Sequence, residues 1–275
     1  MTRYAAMFER CDRRGEGALG AFLMLGDPDA EASAAYLDAL VAGGADMIEF
    51  GIPFSDPVAD GPVVQAAAVR ALHAGIRTAD CLTLIAAFRA RHPDIPVGIL
   101  TYANIVAARG IGRFAQELAQ AGADSLLVAD VPGLEAEPYA RAARTAGIDL
   151  VMIAAAGTPE PALRRIASLS SGYIYCVARD GVTGADRAPT LRHAPLFDAL
   201  AALGAPPPVL GFGIGTPAHV REALEAGAAG VVCGSALVKL VEAGASPQAL
   251  SSVVKELKDA TRRDTQNLAF EAEKR

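Results

Sequence analysis

Four stretches of the chain repeat one alternation of small, polar and apolar positions: AGGADMIEFG (42–51), AGADSLLVAD (121–130), AGIDLVMIAA (146–155) and AGAAGVVCGS (226–235). Each joins a helix end of small residues, a glycine suited to the left-handed cap, and a short apolar run. The pattern marks a helix-to-strand junction. Uninterrupted apolar runs suit parallel strands covered on both faces, and their recurrence with helical segments between them argues for βα units. In chain order the strands fall near 19–25, 46–50, 97–101, 125–129, 149–154, 173–177, 208–212 and 229–233. Helices fit between them at 30–42, 61–73 with 78–91, 111–121, 135–146, 160–168, 191–203, 217–226 and 247–260, and an extra helix near 2–13 would cap the bottom. Eight strands are the number that closes a barrel. The expected fold is α/β, a single (β/α)8 TIM barrel domain over 1–275 with an extra N-terminal helix. A doubly wound open sheet is the alternative, disfavoured because the count reaches eight.

Composition narrows the class. A chain of 275 residues that is 52% hydrophobic and 20% charged can build one large core. The net charge of −6 comes with no Lys/Arg cluster or basic helix, so the electrostatic footprint of a nucleic-acid binder is missing. Cys11, Cys81, Cys176 and Cys233 lie far apart, without the C-x-x-C pairing of zinc or redox sites, and read as reduced, buried hydrophobes. His73, His92, His193 and His219 have no partner at metal-ligand or triad spacing. No metal is expected. The amino terminus MTRYAAMFERCDRR reaches charges before an apolar stretch of signal-peptide length develops, and the longest charge-free run, Ala199–Ala218, is broken by Pro206, Pro207 and Pro208. The expectation is a cytoplasmic protein.

In a barrel of this kind the loops at the strands' carboxyl ends build the site, so each strand end offers candidate groups. The second strand delivers Glu49, two residues after Met47 and therefore on the same face, while Ile48 and Phe50 point the other way. In an apolar setting its pKa should rise, which suits a carboxyl that both gives and takes a proton; a strand-end glutamate paired to Lys or Arg is the plainer alternative. Asp56 and Asp60 follow in PFSDPVADGP, where Asp60 before Gly61 and Pro62 could equally be a helix N-cap. Asp130, before Val131 and Pro132, could be a turn former. GVTG (181–184), GFGIGT (211–216) and CGSA (233–236) follow three successive strands. Glycines there could merely turn tight loops, or could let backbone amides approach a phosphate beside a short helix capped by Ser235. Phe22, Leu100, Leu127, Ile153 and Phe212 are by default core, yet all lie near strand ends, where a flat apolar substrate would find its walls.

EFGIPFSDPVADGPVVQ (49–65), LTYANIV (100–106), LLVADVP (126–132), GVTGA (181–185), GFGIGTP (211–217) and GSALVK (234–239) together resemble the tryptophan synthase α-subunit family, essentially end to end, and GDPD (26–29) fits as well. The resemblance implies a lyase that cleaves indole-3-glycerol phosphate to indole and glyceraldehyde 3-phosphate by a retro-aldol reaction, with neither metal nor organic cofactor of its own. It implies that Glu49 is the general acid/base and that Asp60 holds the indole N–H. Phe22, Leu100, Leu127, Ala129, Ile153, Tyr175, Thr183 and Phe212 would form the indole pocket, and Gly184, Gly213, Gly234 and Ser235 the phosphate cradle. It further implies loops at 53–61 and 179–193 that close over substrate, and a β subunit in an α2β2 complex that joins indole to serine with pyridoxal phosphate. Asp56, Pro57, Asn104 and Pro132 would lie at that interface. Two stretches depart from the family pattern: AAAGTPEP (154–161), and ARDG (178–181), which puts Asp180 in the second loop. Beside the catalytic subunit of a complex stand two other readings, a stand-alone lyase releasing indole and a mainly regulatory subunit activating a β-type partner. Intact Glu49 and Asp60 argue against the last.

Overall fold

The computed structural model describes residues 1–177, 193–211 and 213–263. Helix α1 (Arg3–Arg13) precedes β1 (Ala18–Met24), and the chain continues through α2 (Ala30–Ala42), β2 (Met47–Gly51), α3 (Pro62–His73), α4 (Thr78–Arg91), β3 (Val97–Thr101), α5 (Ala103–Arg109), α6 (Ile111–Ala121) and β4 (Ser125–Val128). The second half holds α7 (Glu137–Ala146), β5 (Asp149–Leu150), β6 (Ile153–Ala155), α8 (Glu160–Leu169), β7 (Ile174–Val177), α9 (Ala194–Ala202), β8 (Pro208–Leu210), α10 (Pro217–Glu225), β9 (Gly230–Cys233), α11 (Ser235–Glu242) and α12 (Pro247–Asp259).

The strands pair in parallel in the order β5-β4-β3-β2-β1-β9-β8-β7-β6. The two ends of that order are neighbours in the chain, separated only by Val151 and Met152. The Val151 amide donates to Leu126 O (2.9 Å) on the β4 side, whereas Met152 O accepts from Tyr175 N (3.0 Å) on the β7 side. One extended stretch therefore changes hydrogen-bonding partner midway and closes the sheet into a TIM-barrel-like ring. The single strand expected over 149–154 is observed as two short pieces because neither half pairs with both neighbours.

The repeated junctions behave as their composition requires. Gly44, Gly122, Gly147 and Gly227 have φ of 95°, 94°, 77° and 104°, a left-handed conformation that strains any residue with a Cβ. An aspartate stands two residues after three of them, and two of these have a further role: Asp46 Oδ2 accepts from Leu19 N and Asp124 Oδ2 from Val97 N, each at 2.8 Å, tying the start of one strand to the junction entering the next. A cation completes each junction, Lys258 on Asp46 (2.8 Å) and Arg89 on Asp124 (2.6 Å).

Helix α1 buries Tyr4, Met7 and Cys11 along one face. Tyr4 reaches the barrel floor, where its hydroxyl lies 2.8 Å from Ser125 Oγ and its ring tilts against Tyr173 at 5.2 Å. All four cysteines are free and buried. Among the described residues no single helix is long and apolar enough to cross a membrane.

Candidate active site

Glu49 sits in the middle of β2, in register with Phe22 on β1 and Gly98 on β3. Its side chain points into the barrel and the residue is only 3% exposed. Gly98 makes the space: a Cβ there would stand 3.0 Å from Tyr4 Oη, 3.1 Å from Ser125 Oγ and 3.5 Å from Tyr173 Oη. Through that gap the Tyr173 hydroxyl donates to Glu49 Oε1 at 2.9 Å. Oε2 is buried with no hydrogen-bond partner among the described residues. Desolvation pushes the Glu49 carboxyl up to about 7; the Tyr173 bond opposes this, and the nearby Asp60 charge adds to it. Among the described residues no Lys or Arg pairs with Glu49, in contrast to the alternative of a strand-end glutamate paired with a cation.

Asp60 lies in the loop before α3 and is buried. It does not cap that helix. The N-cap is Gly61, with no side-chain cap bond, and Pro62 opens the helix. The Asp60 carboxylate is thus free for the cavity, where its Oδ2 accepts from the Tyr102 hydroxyl at 2.8 Å. Burial raises its pKa to about 6 against the pull of that hydrogen bond. Ser235 likewise is not a cap: it is the first residue of α11, whose N-cap is Gly234, so the helix presents its amino end at that glycine. Asp130 Oδ1 caps α5 by accepting from Ala103 N (2.8 Å).

These groups share a cavity of about 90 Å³ at the carboxyl ends of the strands. Of the expected site residues, Phe22, Glu49, Asp60, Leu100, Ala129, Ile153, Tyr175, Gly234 and Ser235 line it. Ala59, Val64, Val177 and Gly211 line it too. Leu127 is buried opposite Leu100 on β4 but does not reach the cavity. Gly213 is in the left-handed region (φ 76°) and exposed, outside the cavity wall. Thr183, Gly184, Phe212 and Asp180 lie outside the described residues. Asp56, Asn104 and Pro132 are exposed on the rim and Pro57 is half-buried there. A wider cleft of about 840 Å³ opens at the opposite end, between the start of α1 and β5, lined by Arg3, Asp124, Arg144 and Asp149 among others. It lies at the amino ends of the strands and contains neither Glu49 nor Asp60, whereas the smaller cavity lies at the carboxyl ends, where barrels of this kind hold their chemistry, and is the candidate site.

Gly211 and Tyr175 explain one another. A Cβ at 211 would fall 1.9 Å from Tyr175 Cζ, and the Tyr175 hydroxyl donates to Gly211 O at 2.9 Å. Tyr173 was legible only as the same-face neighbour of Tyr175, two positions earlier, and Tyr102 only as a polar group at the end of β3.

Fold and site define a class, a TIM-barrel-like enzyme with two desolvated carboxyls in an apolar slot beside a helix amino terminus. The profile described as tryptophan synthase alpha chain matches residues 8–268. Among relatives of that name, the one from Aeromonas hydrophila is 50% identical over 242 residues, covering 88% of this chain and 90% of its own, and that from Edwardsiella ictaluri is 47% identical over 269 residues, covering 95% and 100%. Solved structures agree: Mycobacterium tuberculosis tryptophan synthase superposes with a TM-score of 0.87 at 31% identity (96% and 99% covered), and the Legionella pneumophila alpha subunit with 0.85 at 30% (95% and 98%). The chain belongs to the tryptophan synthase alpha chain family.

Proposed function

We propose that this chain, read as one barrel domain, cleaves indole-3-glycerol phosphate to indole and glyceraldehyde 3-phosphate, with Glu49 as the proton carrier and Asp60 as the anion beside the ring. The observation that carries this reading is Glu49 itself: a carboxyl 3% exposed, with one oxygen unpartnered among the described residues and a pKa pushed by burial to about 7, sharing an apolar cavity with a second carboxyl.

The chemistry follows from the geometry. A flat indole suits the slot between Phe22, Leu100, Ala129, Ile153 and Tyr175, with Leu127 behind it and Phe212 and Thr183 as further walls. The phosphate suits the amino end of α11 at Gly234 and Ser235, with Gly184 and Gly213. Protonated Glu49 delivers its proton to indole C3, which turns the ring into a cation; the Asp60 carboxylate accepts the ring N–H and stabilises that charge. The Glu49 carboxylate then takes the proton of the glyceryl hydroxyl next to C3. The O–H electrons become the aldehyde C=O, the C3–C bond breaks, and its electrons restore the aromatic ring. Glu49 ends as it began, protonated. A pKa near 7 makes both of its forms accessible. The reading gives this chain no cofactor of its own.

The reading extends to a partner. Val58 and Leu134 are 70% and 78% exposed beside Asp56, Pro57, Asn104 and Pro132, and large apolar side chains left in solvent on one rim suit a β subunit docked there. An α2β2 assembly, pyridoxal phosphate in the β subunit only, and a cytoplasmic location consistent with four free cysteines belong to the same reading. The test is release of indole by the purified chain from indole-3-glycerol phosphate, with and without a β subunit. Glu49→Gln, which keeps shape and loses the titrating proton, should stay folded and lose at least 1,000-fold in kcat, on the order of what general acid/base catalysis contributes. Normal turnover in that variant would remove Glu49 from the mechanism.

A further inference from the structure

Tyr102 occupies a position that the reaction as described leaves without a role. It follows the last residue of β3 and serves as the N-cap residue of α5, and it is 1% exposed. Its hydroxyl accepts from Ala59 N at 3.2 Å and donates to Asp60 Oδ2 at 2.8 Å. The direction is fixed by chemistry, because a backbone amide can only donate and the phenol proton must therefore go to the carboxylate. Every other part of Tyr102 is held as well. Its ring stacks on Phe54 with centroids 5.3 Å apart and an angle of 29°, and Asp130 Oδ1 anchors the next residue's amide. The loop that carries Asp60 is therefore pinned at two consecutive residues to a single rigid hydroxyl.

We propose that Tyr102 is a positioning residue for Asp60: it commits one carboxylate oxygen to the phenol, turns the other toward the ring N–H, and keeps the group anionic when substrate arrives. The inference rests on the role assigned to Asp60 above. Among the described residues the groups facing Asp60 are Glu49 from β2, Tyr175 from β7 and Tyr102, with Asp130 acting on Tyr102 from the loop after β4; none of these is a cation. Against burial, the Tyr102 bond is the opposing influence that holds the Asp60 carboxyl down to about 6.

The probe is 3-(indol-3-yl)propyl phosphate, which presents ring and phosphate but lacks the glyceryl hydroxyls and cannot be cleaved. Its affinity is measured by calorimetry from pH 5 to 8.5, with glycerol 3-phosphate as the control for the phosphate cradle alone. Removing a hydrogen bond to a charged group moves the carboxyl's titration upward by about one pH unit, so Tyr102→Phe should bind the indole probe about fivefold more weakly at pH 6 and nearly as tightly as wild type at pH 8. Glycerol 3-phosphate should bind both proteins alike. If Tyr102→Phe does not fold, Phe54→Leu, which frees the ring and keeps the hydroxyl, should show a smaller shift of the same sign. A profile that superimposes on wild type, or a loss equal at all pH values, overturns the role of Tyr102. Asp60→Asn separates the two failures. If it abolishes the pH-dependent part of indole-probe binding while Tyr102→Phe leaves the profile in place, only Tyr102 is wrong; if Asp60→Asn binds like wild type, the Asp60 assignment falls and Tyr102's role with it.

Discussion

Glu49 should make the folded protein less stable as pH rises, and replacing it with glutamine should remove that penalty. A carboxyl whose folded pKa lies above its unfolded value binds its proton more tightly in the native state. Stability is therefore full below the unfolded value and falls as pH climbs toward the folded one. For Glu49 the window runs from 4.5 to about 7. At 1.36 kcal/mol per pH unit, the wild type should carry a penalty of about 1 kcal/mol at pH 5 and about 3 kcal/mol at pH 8. Glutamine keeps an acceptor for the Tyr173 hydroxyl and never ionises, so Glu49→Gln should gain on wild type by about 2 kcal/mol between those two pH values. Urea unfolding followed by circular dichroism at both pH values measures it, and at this chain length the difference corresponds to a midpoint gain on the order of 0.5–1 M. Any constant cost of the amide cancels in the comparison. Equal stability differences at pH 5 and pH 8, or a wild type that gains on the variant as pH rises, would refute the claim that the folded state holds this carboxyl desolvated and without a cation.

Two further changes probe the packing that frames the site. Gly211→Ala puts a methyl group where the Tyr175 ring lies and should displace that ring from the cavity, lowering kcat/KM at least tenfold and destabilising the fold by about 1–3 kcal/mol; a smaller residue at 175 in the same chain should recover much of both, and unaltered kinetics in the single variant would show that the ring moves freely. Lys258→Ala leaves Glu16 and Asp46, which its ammonium bridges at 2.9 and 2.8 Å, without their shared partner near the start of β1, so thermal or urea unfolding should report a loss of about 3 kcal/mol while KM for the substrate stays within twofold.

The βα repeat was readable because it depends on local chemistry. A glycine that must adopt positive φ after a helix, followed by an apolar run, is a constraint a single chain segment can display, and all four junction glycines adopt it. The change of partner inside 149–155 depends on where two distant strands present their amides, which no local pattern encodes. Helix α5 has little signal of its own in the sequence, because its seven residues fall between Tyr102, directly after the strand expected over 97–101, and Gly110, which at φ 85° both ends it and starts α6. Of the site, the carboxyls and the apolar walls were legible as side-chain types at strand ends. Their partners were not: the tyrosines that hold Asp60 and Glu49 stand 42 and 124 residues away in sequence, and only the closed barrel makes them neighbours.

The choice of those partners is itself informative. Asp27, at 4% exposure nearly as buried as Glu49, accepts from Arg70 Nε and Nη2 at 2.7 and 2.8 Å, which shows that this fold can bring a full positive charge to a buried carboxylate. At the site it uses phenols instead. A guanidinium would favour the ionised form so strongly that the carboxyl could never return a proton near neutrality, whereas a neutral hydroxyl offsets only part of the desolvation and leaves both forms within reach. Glu49 and Asp60 then differ by degree. On the proposed mechanism Glu49, in the barrel interior and pushed by burial to about 7, exchanges its proton within the reaction, while Asp60, nearer the rim and holding the bond from Tyr102, is pushed only to about 6 and stays an anion at the same pH. The division of labour between proton carrier and fixed charge thus follows from how deeply each carboxyl is buried, with the same kind of donor on both.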